Sequence, residues 1–477
     1  MAYHSRNAPY PSRPVRLEPI KSEMQPEDAF RKIANLNGCF FLDSALFNPR
    51  FGRYSFLGVE PVLTLKADGD LITLRGEEGE KNFRSNPFEA LRQVIRSYAP
   101  LFERFSLGPP FVGGLVGYLG YDLRHFIERL PASGRRDQRF PDMYFGLYTS
   151  VLCWDAVEKQ WVLANTEAGA KSSAAEILRE ALAGAKPSAE ENAPREPAKA
   201  PVLSSNFTKT EYLRAVQRVK DYITAGDIFQ ANLSQRFETK CTLSPANLHA
   251  RLRRDNPAPF AAFIRLDDER CVMSSSPERF LRIAGRDVET RPIKGTRPRH
   301  TDPGTDEKMK SELLASEKDA AELAMIVDLE RNDLGRVCEF GSVRVTEPRV
   351  LETYATVHHL VATVVGRLRS DADIVSLLEA SFPGGSIPGA PKIRAMEIID
   401  MLEPTARSVY TGSTGYIGFG GYADINIVIR TLLLDGERVT FQVGGGIVAD
   451  SDPQLEFEET IHKAAGIMKA LRLAPPR

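Results

Sequence analysis

The stretch from Thr208 to Gln235 constrains the fold more than any other. Thr208-Lys209-Thr210-Glu211 is a capping box, in which the threonine oxygen accepts an orphan amide at a helix start and the glutamate reaches back. Tyr212, Leu213, Val216, Val219, Tyr222 and Ile223 follow at helical spacing, and Gly226 suits the left-handed residue that ends a helix. A strand should begin at once. In residues 228–235, Phe229, Ala231 and Leu233 share one face, and Gln230, Asn232 and Ser234 share the other. The polar side is then either a cavity wall or a solvated surface.

A chain of 477 residues with 42% hydrophobic content can bury a large core, and its length suggests two or three domains' worth of sequence. Lys+Arg 62 against Asp+Glu 63 leaves a formal charge of -1, so no global field favours nucleic acid or an anionic membrane. Cys39, Cys153, Cys241, Cys271 and Cys338 are odd in number and lack metal-ligand spacing. Neither disulfides nor zinc is expected, which fits a reducing cytoplasm. The start of the chain lacks the apolar core of a signal peptide. The best apolar run, residues 425–434, is too short to span a membrane and is broken by Asn426 and Arg430.

Residues 1–15 read as a frayed tail, followed by a helix at 29–33 and strands at 40–42 and 54–64. The apolar segment 111–122 carries Gly113, Gly114 and Gly117, a sign of closely packed backbones, and strands are expected at 143–152 and 161–165. From 167 to 205 the composition shifts to Ala, Glu, Lys, Pro and Ser. Three regions follow: 1–185, a linker at 186–205, and 206–477.

In the second half a lysine sits among arginines and prolines: Glu289-Thr290-Arg291-Pro292-Ile293-Lys294-Gly295-Thr296-Arg297-Pro298-Arg299. Pro292 and Pro298 argue for a short edge strand, and alternation would place Lys294 and Thr296 on one face. Two readings stand, a solvated basic loop or a reactive amine. An unperturbed lysine near pKa ~10.4 is only about one part in 2,500 neutral at pH 7. A nucleophilic Lys294 therefore needs burial or nearby cations, which the arginines would supply.

Ser316-Glu317-Lys318-Asp319 caps another helix, on which Asp319 and Glu322 are neighbours. Glu456 and Glu459 repeat the spacing near the C-terminus, with Lys463 four residues on. Each pair is either a solvated helix face or half of an all-oxygen cation site, which would suit magnesium better than zinc. Residues 385–392 are not a phosphate-binding Walker loop, because Ala390-Pro391 separates Gly389 from Lys392. Arg430, read as part of an apolar strand, needs a structural or a ligand carboxylate. The amides of Gly444 to Gly446 offer further anion contacts. The residues describe a magnesium-dependent site for a small polyanion, with Lys294 and Glu278 as reactive candidates.

Four motifs then resemble one known family: Pro292-Ile293-Lys294-Gly295-Thr296-Arg297-Pro298, Asp328-Leu329-Glu330-Arg331-Asn332-Asp333-Leu334-Gly335-Arg336, Gly389-Ala390-Pro391-Lys392-Ile393-Arg394-Ala395-Met396-Glu397 and Gly444-Gly445-Gly446-Ile447-Val448-Ala449-Asp450-Ser451. They look like the chorismate-utilising enzymes, over residues 207–471 and again over 110–122. The resemblance implies an α/β (α+β) fold of two large, mainly antiparallel packed sheets with helices outside, the N-terminal third sharing the same core. Within the family, anthranilate synthases typically carry alanine where Lys294 stands, whereas the aminodeoxychorismate synthases with lysine there use it as a nucleophile. The resemblance therefore implies an aminodeoxychorismate synthase component I, formally of the transaminase class, on the route to p-aminobenzoate and folate. The alternative is an anthranilate synthase component I of tryptophan biosynthesis.

By the same resemblance, Glu322 and Glu459 would hold Mg2+, supported by Asp319 and Glu456, and Glu278 would be the general acid. Substrate contacts would fall to Thr296, His359, Tyr410, Arg430, the amides of Gly444 and Gly446, and Lys463. Gln230 stands where salicylate and isochorismate synthases have a general-base lysine, which disfavours water activation at C2. Pro388 departs from the threonine or serine usual before Gly-Ala-Pro-Lys. The substrates would be chorismate and ammonia. No cysteine has the glycine-flanked setting of a glutaminase nucleophile, so ammonia from glutamine would require a separate amidotransferase subunit.

Overall fold

The computed structural model describes residues 15–46, 50–102, 108–166, 173–185, 202–354 and 357–473. The expected tail, apart from Val15, and residues 186–201 of the expected linker lie outside these. The capping box forms as read: Thr208 Oγ1 accepts from Glu211 N at 3.3 Å, and Glu211 Oε2 accepts from Thr208 N at 2.8 Å. It opens the helix Lys209–Thr224, and Gly226 follows at φ 83°. The strand Gln230–Lys240 comes next, with Ala231 and Leu233 buried against Tyr212 and Val216 of that helix. Phe229 is 71% exposed and so does not belong to this apolar face; its backbone amide bonds Ala390 O just before the strand begins.

The strands build two 12-stranded sheets. The first runs from Val15–Ile20 through Phe40–Asp43, Phe260–Arg265, Arg270–Ser276, Thr431–Asp435 and Arg438–Ile447 to Gln230–Lys240 and Ser204–Ser205. The second runs from Ile293–Pro298 and Val357–Arg367 through Arg279–Ala284, Tyr422–Ile427 and Ser413–Gly418 to Gly114–Leu119, Met143–Tyr148 and Gly79–Arg84. Both are completed by strands from the two halves of the sequence, which meet antiparallel where Phe40–Asp43 pairs Phe260–Arg265 and Ser413–Gly418 pairs Gly114–Leu119. Gly117 lies at the second seam, where a Cβ would collide with Tyr144 O.

Three layers of core follow from this arrangement. Aromatic side chains from both sheets, including Phe40, Phe56, Tyr118 and Tyr144, fill the space between them. Outside the first sheet lie helices such as Pro26–Ile33, Pro245–Asp255 and Pro453–Leu471, and outside the second lie Pro87–Ser97, Glu317–Gly335 and Ile374–Ser381. The segment read as one strand over 54–64 is two, Tyr54–Gly58 and Leu63–Asp68, in different sheets. Strand periodicity is the same in either sheet, so the change of layer leaves no mark in the pattern.

Inside this body Arg407 and Glu403 form a buried ion pair at 2.7 and 2.9 Å. Arg407 also donates to Asn232 O and lies over the Tyr121 and Tyr410 rings, while Glu403 accepts from Ser234 N and Oγ. Arg407→Met, which leaves Glu403 buried without its partner, is expected to cost roughly 3–5 kcal/mol of stability in urea unfolding. A loss within 1 kcal/mol of zero would show that the pair is not a stabilising contact, since removing one partner of a buried pair exposes the full desolvation cost.

Candidate active site

Two chain segments cross between the sheets side by side. Arg270–Ser276 of the first sheet passes through Pro277 and Glu278 into Arg279–Ala284 of the second, and Tyr422–Ile427 of the second returns through residues 428–430 to Thr431–Asp435 of the first. The crossings bind each other: Ser275 N donates to Arg430 O at 3.1 Å and Ile427 N to Glu278 O at 3.0 Å. Arg430 therefore does not sit within a strand, as its apolar neighbours suggested. It occupies the crossing at φ 52°, a left-handed conformation that a continuing strand excludes. Its half-buried guanidinium has no carboxylate within ion-pair distance among the described residues, and burial lowers its pKa, opposed by Tyr354 and Glu278.

Lys294 lies on the short strand Ile293–Pro298, which pairs with Val357–Arg367 at the sheet edge. The register shifts at Gly295, an extra residue at φ 74°, so that Lys294 opposes Leu360 and Thr296 opposes His359. The bulge breaks the two-residue period, and alternation no longer sets Lys294 and Thr296 on one face. Lys294 is partly buried, with Nζ 3.5 Å from Ser386 O. Burial lowers its pKa, Glu322, Glu278 and Glu459 oppose the shift, and Lys463 assists it. The arginines of the segment are not the cause. Arg291 binds Glu352, Arg297 binds Asp319 and Arg299 binds Asp306.

Glu278 is buried, and its Oε1 accepts from Ile293 N at 3.3 Å. Burial raises its pKa against the pull of the Ser386 hydroxyl, Lys294, Ile293 N and Arg430. The acid and the amine thus drift toward their uncharged forms. Beside them His359 places Nδ1 3.0 Å from Thr296 Oγ1 and 3.4 Å from Gly295 O. Burial, with help from Arg430, holds its pKa down to about 3, so the ring is neutral. Its buried Nε2 has no partner among the described residues. Tyr354 packs edge-on against the ring at 5.5 Å and is itself anchored by its hydroxyl on Glu352.

The helix carboxylates converge from two sides. Glu322, on Glu317–Gly335, accepts from Gln230 Nε2 at 3.3 Å, and the neighbouring Asp319 is held by Arg297 at 3.1 Å. Glu459, on Pro453–Leu471, pairs with Lys463 at 2.7 Å, while Glu456 accepts from Ser451 Oγ at 2.6 Å. Lys463 also donates to Gly444 O at 3.0 Å. A Cβ at Gly445 would lie 3.1 Å from Glu456 Oε2 and 3.5 Å from Glu459 Oε1, and one at Gly446 would collide with the Gln230 amide. Side chains at these glycines would therefore displace the carboxylates and Gln230. No cage of three or more metal-ligating side chains is assembled among the described residues. Two glutamates from separate helices nonetheless fit magnesium, which takes one or two protein carboxylates and completes its shell with water and substrate.

Of the expected contacts, the structure gathers Lys294, Glu278, Thr296, His359, Arg430, Glu322, Glu459, Lys463 and the strand of Gly444 and Gly446. Tyr410 lies beside Arg407, and its pKa is raised by burial. Ser386 and Tyr354 were not legible in advance. Ser386 sits in a glycine-rich loop with no periodicity, though its closeness to Pro388-Gly389-Ala390 was a usable sign, since Pro388 O and Ala390 O bond Asn232 N and Phe229 N. A separate cavity of about 320 Å³, lined by residues such as Arg53, Tyr54 and Tyr416, includes none of these groups and is not the site.

A partly buried lysine and a buried glutamic acid thus lie beside paired helix carboxylates on two packed antiparallel sheets. Residues 43–469 match the model of the chorismate binding enzyme family, and the chain belongs to that family. It is 39% identical over 465 residues to anthranilate synthase component 1 of Thermus thermophilus, covering 97% of this chain and 98% of that protein. It is 36% identical over 433 residues to aminodeoxychorismate synthase component 1 of Bacillus subtilis, covering 90% and 91%. The crystal structure of anthranilate synthase component I from Streptococcus pneumoniae superposes with a TM-score of 0.75 at 30% identity, covering 88% of this chain and 93% of that one.

If Glu278 acts as the acid, its protonated form is required, so turnover should decline as pH rises through its raised pKa. Glu278→Gln is expected to lower kcat by about 10²–10⁴-fold and to remove that alkaline limb from the residual activity. A pH–rate profile that keeps its shape in the variant would show that another group donates the proton.

Proposed function

We propose that this chain is an aminodeoxychorismate synthase component I, converting chorismate and ammonia to 4-amino-4-deoxychorismate in a cytoplasmic route to p-aminobenzoate and folate. Relatives of both the aminodeoxychorismate and the anthranilate kind are about equally similar, so overall similarity does not divide the two readings. The observation that carries this one is Lys294, partly buried beside Glu278 with its ammonium disfavoured by burial.

The uncharged amine of Lys294 adds at C2 of chorismate, the ring double bonds shift, and the C4–O bond breaks. Glu278 passes its proton to the departing oxygen, which leaves as water. Ammonia then forms a bond at C4, the double bonds shift back, and the C2–N bond to Lys294 breaks, which restores the neutral amine, while the new C4 ammonium returns a proton to the Glu278 carboxylate. Arg430 and the free Nε2 of His359 offer a cation and a hydrogen-bonding group to substrate oxygens. Glu322 and Glu459, with Asp319 and Glu456 behind them, would hold Mg2+, which when bound would neutralise a substrate carboxylate. The thiols do not supply a glutaminase nucleophile: burial pushes Cys271 up to about 12 and Cys338 up to about 11, and raises Cys39, Cys153 and Cys241. Ammonia derived from glutamine would come from a separate amidotransferase subunit.

Mass spectrometry of the product from chorismate, ammonium and magnesium tests the reading. A 4-amino-4-deoxychorismate mass is expected, and fluorescent anthranilate with pyruvate would establish the other assignment. With ammonia withheld, intact-mass analysis should reveal an enzyme–chorismate adduct that Lys294→Ala abolishes. An adduct that survives in this variant would place the nucleophile elsewhere.

Glu322→Gln and Glu459→Gln should each raise the magnesium concentration needed for half-maximal activity by about tenfold or more, because a site with few protein donors loses one of them. Glu456→Gln should cost less, since this carboxylate is engaged by Ser451. Three unchanged magnesium titrations would remove these helices from the metal site.

A further inference from the structure

The buried stripe of the helix Glu317–Gly335 carries Leu323, Ile326, Val327 and Leu334 at helical spacing. Glu330 stands within that stripe and is 6% exposed. Its Oε2 accepts from the Thr290 hydroxyl at 2.9 Å. Burial raises its pKa well above the usual carboxylate range; Thr290 and Lys392 oppose the shift, while Glu278 and Asp333 assist it. Lys392 is occupied elsewhere, by Asp333 at 2.5 Å and by Ser381 O and Pro383 O at 3.0 Å. Glu330 is therefore held as an uncharged acid. A carboxyl group loses its hydration here, and a single hydroxyl contact does not restore it. Packing alone would favour leucine, so the reason for a carboxyl lies in what it touches.

It touches two segments that meet at the reactive pair. Thr290 ends the strand Asp287–Thr290 and precedes Lys294 by four residues. The stem of Glu330 lies against Gly385, where an added Cβ would come within 3.2 Å of its Cγ. Ser386, the next residue, places its carbonyl 3.5 Å from Lys294 Nζ and its hydroxyl on Glu278. Both segments need outside support. Ile293–Pro298 is an edge strand broken by the bulge at Gly295, and residues 382–388 form neither helix nor strand.

From this placement, and resting on the reaction proposed above, we infer that Glu330 is a positioning residue: it holds the segment leading to Lys294 against the loop of Ser386, and so sets the amine and the acid relative to each other. A displacement of about 1 Å in such a pair costs up to about 10²-fold in rate. Arg430 and His359, the proposed substrate contacts, lie on other elements, so chorismate affinity does not depend on this brace.

Glu330→Leu keeps the bulk and removes the hydroxyl contact. It is expected to lower kcat for chorismate consumption by about tenfold or more with the KM for chorismate unchanged, while the urea unfolding midpoint stays the same or rises. Thr290→Val should lower kcat likewise, and the double variant should be no slower than the slower single one, since both remove the same contact. Glu330→Gln, whose amide oxygen accepts from Thr290, should keep kcat within about twofold of wild type with an unchanged pH–rate profile, because the acid it replaces carries no charge. A wild-type kcat in Glu330→Leu would overturn the inference. A lowered unfolding midpoint in that variant would do so too, since the carboxyl would then be a stabilising contact. So would a Glu330→Gln enzyme as slow as Glu330→Leu, which would show that the proton matters and not the position. Chorismate consumption is read whichever product forms, so absence of a Lys294 adduct and of a 4-amino product in the wild type would count against the amination reading and leave this test standing.

Discussion

The two hydrogen bonds between the sheet crossings, Ser275 to Arg430 and Ile427 to Glu278, are the constraint on which the site depends. They tie together the two stretches of backbone that pass from one sheet to the other, and so hold an acid and a cation at the junction of both. A strand could not do this, because a repeating backbone sends neighbouring side chains to opposite faces. The edge strand of Lys294 reaches the junction through Ile293 N, bonded to Glu278 Oε1. Thus one backbone amide ties the Glu278 carboxyl to the strand of Lys294.

Burial then acts on that pair in opposite chemical directions with one electrostatic result. The charged form of each is penalised, so the lysine is pushed toward amine and the glutamate toward acid, the forms that the proposed reaction requires. Their mutual attraction works the other way, each stabilising the other's charge. Desolvation and pairing therefore compete at this pair. The nearby carboxylates Glu322 and Glu459 also favour the lysine's charged form, while Lys463, paired with Glu459, disfavours it.

What was legible in the chain was local. The Thr208 capping box and the helix that follows come from side-chain chemistry within a few residues, and they are present as read, whereas the polar face of Gln230, Asn232 and Ser234 could be told from a solvated one only by what packs opposite it. Lys294 was identifiable as a departure among arginines, although the partners of those arginines were not, because Glu352, Asp319 and Asp306 come from other elements. Arg430 was misplaced into a strand because apolar strands of either sheet have one period, and a crossing between them looks like continuation. The bulge at Gly295 was hidden for a related reason. A glycine allows an extra residue, while register is set by the partner strand.

The N-terminal region is part of the site's support although it provides none of the reactive groups. Tyr121 lies under the Arg407 guanidinium, Tyr121 N bonds Ser408 O, and Ser408 N bonds Asp122 Oδ2. Arg407 in turn fixes Glu403 and the backbone of Asn232, on the strand that carries Gln230 to Glu322. The chain of contacts runs from the first half of the sequence to a helix carboxylate without crossing solvent. The Arg407–Glu403 pair at its middle is fully buried, so losing either partner would leave an uncompensated charge in the centre that both sheets enclose.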